Sequence, residues 1–162
     1  MGKYFVTTAI DYVNSAPHVG TSYEKILADV VARWKRLKGE DVFFLMGNDE
    51  HSQQVADRAA ENGLAPLEWC DRMEEKFRAV WAKLDVSYDR FIRTSGPDHH
   101  RACQEIFRRL RDRGDIRKAL HQGLYCVGCE ARKNERDLQA GKCPNHPAVP
   151  LRRVEEENYF FL

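Results

Sequence analysis

No run of apolar residues in this chain approaches the ~20 needed to cross a bilayer, so a helical membrane span is excluded. The first fifteen residues carry one lysine and no long apolar stretch, so no secretory leader is expected. Neither G-x-x-x-x-G-K-[ST] nor G-x-G-x-x-G occurs, which removes a P-loop NTPase and a dinucleotide-binding reading. Charge of one sign is not in excess: the formal net charge is +1, so nucleic acid or anionic lipid would have to be met by a local patch. Internal repeats and low-complexity tracts are absent. No cysteine precedes Cys70, and the total of five is odd, which argues against a disulfide framework and for a reducing compartment. DNA and membrane are therefore not expected partners, and a cytoplasmic location is.

What is present begins with the cysteines. Cys126, Cys129, Cys143 and His146 read Cys-x2-Cys, thirteen residues, then Cys-x2-His. Two short-gap pairs beside turn residues (Gly128 in the first, Pro144 and Asn145 in the second) can present four ligands to one tetrahedral ion. Thiolate and imidazole together favour Zn2+, and four protein ligands leave no open position, so a structural site is expected.

At 162 residues, 43% of them hydrophobic and 31% charged, the chain suits one packed domain with a small satellite. Tyr4-Phe5-Val6-Thr7-Thr8 reads as a buried strand. Thr21-x-x-Glu24 has the form of a capping box opening a helix, whose Ile26, Leu27, Val30, Val31, Trp34 and Leu37 form an apolar face and whose basic last turns run into Gly39. Val42-Phe43-Phe44-Leu45-Met46 reads as a strand covered on both faces. A helix follows around 53–62. A second starts at Pro66, with Cys70, Met73, Phe77 and Trp81 at helical spacing. A strand is expected at 88–93 and a helix at 97–113 that presents Cys103, Ile106 and Phe107. Alternating strands and helices give an α/β class with a parallel sheet. Beyond about 115 the grammar changes to short extended pieces around the metal motif. Residues 1–115 are thus expected to form one unit and 116–162 another, the chain stopping within what reads as a strand.

Pro17-His18-Val19-Gly20-Thr21 lies between the first strand and the first long helix, where ligands bind in open α/β sheets and where helix N–H groups favour anions. His18 can donate to a phosphate oxygen, Gly20 permits close approach and Thr21 adds a hydroxyl. A solvated loop histidine accounts for His18 equally well on local chemistry. Gly47-Asn48-Asp49-Glu50-His51 should open on the same edge, with Asp49 able to hold an ammonium group; a turn with helix-capping carboxylates is the plainer alternative. Trp34, Trp69 and Trp81 read as packing residues, Cys70 and Cys103 as inert small hydrophobes, and the arginines from Arg108 to Arg117 as a solvated face interspersed with Asp112 and Asp115.

Taken together, Val6-Thr7-Thr8-Ala9-Ile10-Asp11-Tyr12-Val13-Asn14, Pro17-His18-Val19-Gly20, Phe43-Phe44-Leu45-Met46-Gly47-Asn48-Asp49-Glu50-His51, Phe91-Ile92-Arg93-Thr94, Gly123-Leu124-Tyr125-Cys126 and Glu157-Asn158-Tyr159-Phe160-Phe161 resemble the methionyl-tRNA synthetases, class I aminoacyl-tRNA synthetases, along essentially the whole chain. The resemblance implies the first half of a Rossmann-like nucleotide-binding domain, followed by the start of an insertion with a zinc knuckle. It implies ATP-dependent activation of methionine, with Mg2+ accompanying ATP, and transfer to tRNA(Met). His18 and Gly20 match the His-Ile-Gly-His signature, which contacts ATP and stabilises the pentavalent phosphate. Ile10 and Tyr12 match the methionine pocket, Asp49 the carboxylate that pairs with the ammonium of methionine, and Asn14 a support for the ATP phosphates. Cys126, Cys129, Cys143 and His146 match a single-knuckle zinc site.

Thr21 stands where the signature's second histidine usually stands, and a hydroxyl cannot become a cation. The family's Lys-Met-Ser-Lys-Ser loop does not occur here. The chain therefore reads as an amino-terminal piece with negligible activation of its own. Two other classes are a non-catalytic zinc-bearing RNA-binding module, which would bind tRNA without methionine or ATP, and a different class I synthetase such as a cysteine-activating relative. The latter normally places cysteines near the first strand, where this chain has none.

Overall fold

The computed structural model describes residues 2–162. The chain divides into two compact units between His100 and Arg101, inside its fourth helix. The first unit runs β1 (Lys3–Thr7), β2 (Asp11–Tyr12), α1 (Val19–Leu37), β3 (Asp41–Asp49), α2 (Gln53–Glu61), α3 (Pro66–Lys83) and β4 (Arg90–Arg93) into the start of α4 (Pro97–Asp112). All strand pairs are parallel. Leu45 of β3 pairs with Thr7 on one edge and Arg90 on the other, and Asn48 pairs with Asp11 and Arg93. β1 and β2 therefore lie along the same edge of β3, as one strand interrupted by a detour at 8–10.

Both crossovers, through α1 and through α2–α3, step the same way across the sheet, and right-handed connections of that kind stack their helices on one face. A single core results: Phe44 and Met46 of β3 with Val13, Ala32, Val55, Cys70, Met73, Phe77, Trp81 and Phe91. Each large side chain buried there contributes on the order of 2 kcal/mol. The other face is open, with Phe5 and Phe43 stacked at 5.7 Å and exposed. The expectation that β3 is covered on both faces is corrected accordingly.

α1 is turned over relative to its sequence pattern. Its buried residues are Lys25, Asp29 and Ala32, whereas Ile26, Leu27, Val30, Trp34 and Leu37 are exposed. The small Ala28 and Ala32 let the helix approach the core, and the charged residues beside them find partners. Asp29 accepts from the Ser87 backbone N–H at 2.7 Å and pairs with Arg33 at 2.6 Å. Arg36 donates to the Ser87 hydroxyl at 2.7 Å and pairs with Asp89 at 2.8 Å. Apolar periodicity locates a stripe but not its neighbours. Trp34 likewise packs under the Lys35 and Lys38 ammonium groups rather than in a core. Trp81 is buried, and Trp69 donates its indole N–H to Val13 O at 2.7 Å.

The second unit holds the later turns of α4, β5 (Ile116–Cys126), β6 (Ala131–Lys133), a single 3-10 turn (Glu135–Asp137) and β7 (Arg152–Phe161). Its frame is a long antiparallel pair, Ile116 opposite Phe161 through Tyr125 opposite Arg152, with β6 on the other edge of β5. The short extended pieces expected here are thus two long strands and a short one. α4 contributes no buried residue, and Cys103 is exposed, contrary to the expectation for that helix face. Phe107 packs edge-on to Tyr159 at 4.9 Å. The basic residues are ion-paired at the surface: Arg108 and Arg109 with Glu105, Arg111 with Asp112, Arg113 with Asp115.

Candidate functional site

The carboxyl edge of the parallel sheet collects the residues singled out in the first unit. His18 is the N-cap of α1. Its Nδ1 accepts the Gly20 N–H at 3.0 Å, and Thr21, three positions into the helix, closes the box: its hydroxyl accepts the His18 N–H at 3.0 Å and donates to His18 O at 2.8 Å. The capping pair is therefore His18 and Thr21, not Thr21 and Glu24. The helix starts three residues earlier than the Thr–Glu spacing indicated, because an imidazole nitrogen serves as the cap acceptor.

Two consequences follow for chemistry. An Nδ1 that accepts a backbone N–H places the proton of the neutral ring on Nε2, so His18 presents a donor outward from an exposed position. A Cβ at Gly20 would lie 2.9 Å from His18 Cε1, so the glycine leaves room for the imidazole as well as for a ligand. The Thr21 hydroxyl is committed to the cap in both directions.

A cavity of about 180 Å³ is lined by Asp11, Tyr12, Asn14, Ser15, His18 and Thr21, among others. Ile10 and Asp49 lie outside its lining. Asp49 ends β3, half-buried, directly beside Tyr12 in the parallel register. Asn14 donates to Gln54 Oε1 at 2.7 Å, which ties the loop before α1 to α2. The N-cap of α2 is Ser52, whose hydroxyl accepts the Val55 N–H at 3.2 Å, so the carboxylates of Asp49 and Glu50 are not used as caps.

Sequence reasoning missed the groups that hold this edge together. Glu50 is buried and takes Arg93 Nε at 2.7 Å together with the Ser95 hydroxyl. Arg93 also reaches Asp71 at 2.7 Å, and the flanking carboxylates outweigh desolvation to hold its guanidinium proton more tightly than usual. His51 Nε2 sits 3.2 Å from Thr94 O and 3.3 Å from His100 Nε2. Lys25 is fully buried, 3.0 Å from both Asp11 and Glu24. Burial raises the Asp11 carboxyl above its ordinary value, against the pull of Lys25. The available signal was charge at 25, 29 and 36, spaced to share one helix face.

In the second unit the ligand atoms of Cys126, Cys129, Cys143 and His146 all lie within 4.8 Å of one another. Cys129 Sγ is 3.5 Å from Cys143 Sγ and 3.2 Å from His146 Nδ1, and Cys126 Sγ is 3.9 Å from that same nitrogen. The Cys126-x2-Cys129 turn lies against the imidazole: a Cβ at Gly128 would be 2.6 Å from His146 Cγ, so only glycine fits there. Glu130 at φ 49 closes the turn. Burial opposes ionisation of Cys143, but hydrogen bonds from Cys129 and from the His146 and Asn145 backbone outweigh it and lower the thiol to about 6. This is a donor set for a metal ion.

The model of the family described as tRNA synthetases class I (M) matches residues 4–155. The chain belongs to that family. It is 45% identical over 98% of its length to methionine–tRNA ligase of Thermotoga maritima, and 44% identical over 99% to the chloroplastic/mitochondrial methionine–tRNA ligase of Arabidopsis thaliana, covering 26% of each. It spans about a quarter of the length of these curated relatives. Among solved structures, methionyl-tRNA synthetase of Mycobacterium tuberculosis in complex with methionyl-adenylate matches 99% of the chain and 32% of its own, at a TM-score of 0.91 and 41% identity. Among the described residues no helix is long and apolar enough to cross a membrane.

Proposed function

We propose that the chain forms the part of a methionine–tRNA ligase that faces ATP and the ammonium end of methionine. The observation that carries this reading is the register of Tyr12 beside Asp49, at the sheet edge where His18 caps α1. In that arrangement the Asp49 carboxylate pairs with the substrate ammonium, and Ile10 and Tyr12 wall the side chain. The methionine carboxylate then attacks the α-phosphorus of ATP, and pyrophosphate leaves. The Nε2–H of His18 donates to phosphate oxygens as charge builds there, with Gly20 allowing their approach and Asn14 beside them. Thr21, occupied by the cap, adds support to His18 rather than a second cation. Mg2+ would accompany ATP as part of the substrate, and tRNA(Met) would accept the activated methionine.

Zn2+ is the ion proposed for Cys126, Cys129, Cys143 and His146. A tetrahedral zinc with ligand bonds of about 2.0–2.3 Å sets neighbouring donor atoms roughly 3.4–3.8 Å apart; three of the donor pairs lie 3.2, 3.5 and 3.9 Å apart, and all fall within 4.8 Å. When bound, it would cross-link the 126–129 and 143–146 turns and do no chemistry. Thiolate ligands and free cysteines suit a reducing cytoplasm. The test is ATP–pyrophosphate exchange by a synthetase of the relatives' length that carries this segment. Exchange that depends on methionine supports the reading. tRNA binding with no use of methionine or ATP would overturn it.

A further inference from the structure

The detour at 8–10, which separates β1 from β2 and carries Ile10, is gripped from α1. The Lys25 ammonium donates to Ala9 O at 2.8 Å and lies 3.0 Å from the Asp11 carboxylate. Glu24 accepts the Ala9 N–H at 2.8 Å and pairs with Lys25 at 3.0 Å. Both backbone groups of Ala9 and the side chain of Asp11 are thus tied to two adjacent helical residues. Lys25 is 0% exposed, a placement that a lysine tolerates only with its charge matched. The Asp11 side chain is 11% exposed, and Lys25 is the cation that faces it. What this clasp secures is short: β2 is two residues long, and its pairing sets Asp11 against Asn48 and Tyr12 against Asp49. Two residues of parallel ladder are too little to hold a strand by themselves.

We infer that Lys25 is a positioning residue for the methionine site, one that sets Ile10 and Tyr12 relative to Asp49 through its grip on Ala9 and Asp11. The inference rests on the methionine reading proposed above. It also accounts for the inverted helix: α1 turns Lys25 inward because the detour needs a cation there, and its apolar stripe faces away. Lys25 and His18 share that helix, so the ATP-facing cap and the wall of the amino-acid site are carried by one rigid element.

The clasp is tested by Lys25→Met, which keeps the length of the stem and removes the charge, alone and with Asp11→Asn. Two readouts apply. In hydrogen exchange on the 162-residue chain, the amides of residues 9–12 should exchange at least about tenfold faster in Lys25→Met, while those of α3 stay unchanged. In a synthetase of the relatives' length carrying the segment, the methionine KM should rise about tenfold, with kcat and the ATP KM within about twofold. Asp11→Asn added to Lys25→Met should recover part of that loss by removing the orphaned carboxylate. Unchanged exchange at residues 9–12 would overturn the clasp, whatever the substrate. Faster exchange with an unchanged methionine KM, or an equal rise in both KM values, would overturn the positioning role. A parent enzyme that makes no methionine-dependent exchange would overturn the functional reading, and the methionine role of Lys25 with it.

Discussion

The His18 imidazole accepts the N–H of the residue two positions on, Gly20, at 3.0 Å, so one side chain both starts α1 and aims its remaining N–H outward. Cap and donor can be separated. His18→Asn keeps a good N-cap and removes the outward donor; His18→Ala removes both. In a synthetase of the relatives' length carrying the segment, both variants should lower ATP–pyrophosphate exchange on the order of 100-fold. Only the alanine variant should lose about 1 kcal/mol of stability in urea melts. Equal stability loss with undiminished exchange would refute the donor role.

Asp49→Ala should act on methionine rather than on ATP. It removes the proposed counter-charge of the substrate ammonium while leaving the backbone pairing of Tyr12 and Asp49 in place. An increase in methionine KM of at least about 30-fold is expected, from the loss of a charge-assisted pair worth roughly 2–3 kcal/mol. Steady-state exchange at varied methionine and fixed ATP measures it.

One zinc ion per chain is expected, measured by elemental analysis of purified protein. Cys143→Ala should release it and loosen the second unit, with amide exchange in the core of the first unit unchanged. Gly128→Ala should also weaken retention of the metal without removing a ligand, because its Cβ would sit 2.6 Å from the His146 ring. Full metal retention by Gly128→Ala would show that the imidazole does not pack on that turn.

Acid should destabilise the first unit in part through Asp29. Burial opposes its ionised form, but the hydrogen bonds from Ser87 and Arg33 outweigh that and lower its folded value below 3.8. The unfolded chain therefore binds this proton more readily than the folded one. The contribution is present above the ordinary carboxylate value and is lost as pH falls through the lower folded one. Asp29→Asn should cost about 1–2 kcal/mol at neutral pH, and its gap to wild type should close from about pH 4 downward. A gap independent of pH in urea melts would exclude this origin.

The 162-residue chain alone should self-associate and give no measurable methionine-dependent exchange. Phe5 and Phe43 on the open sheet face, and Ile26, Leu27, Val30 and Trp34 on α1, leave large apolar surfaces in water. Sedimentation at rising concentration measures the first expectation, and Phe43→Ser should reduce association. Robust exchange by the chain alone would overturn the second.

Much of this protein was legible in its residues before any coordinates. Pro66 at a helix start, Gly39 past a helix end, and strands alternating with helices are local signals, decided by steric and hydrogen-bonding preferences within a few residues. The metal motif was legible for a related reason: a two-residue gap beside a turn brings both ligands of a pair to one point, whatever the rest of the chain does. The positions His18, Tyr12 and Asp49 came from the pattern of a family, which stores long-range neighbours that local chemistry does not. What only tertiary structure decided was which faces meet. α1 carries a good apolar stripe, yet buries Lys25 and Asp29, because a charged group matched by partners on the detour at 8–10 and at Ser87 can be buried. Those partners lie 16 and 58 residues away along the chain, beyond the reach of any periodicity. The cap on α1 followed the same logic: Thr21 and Glu24 have the spacing of a capping box, but the helix began at Val19 because the His18 ring could fold back over a glycine that left it room.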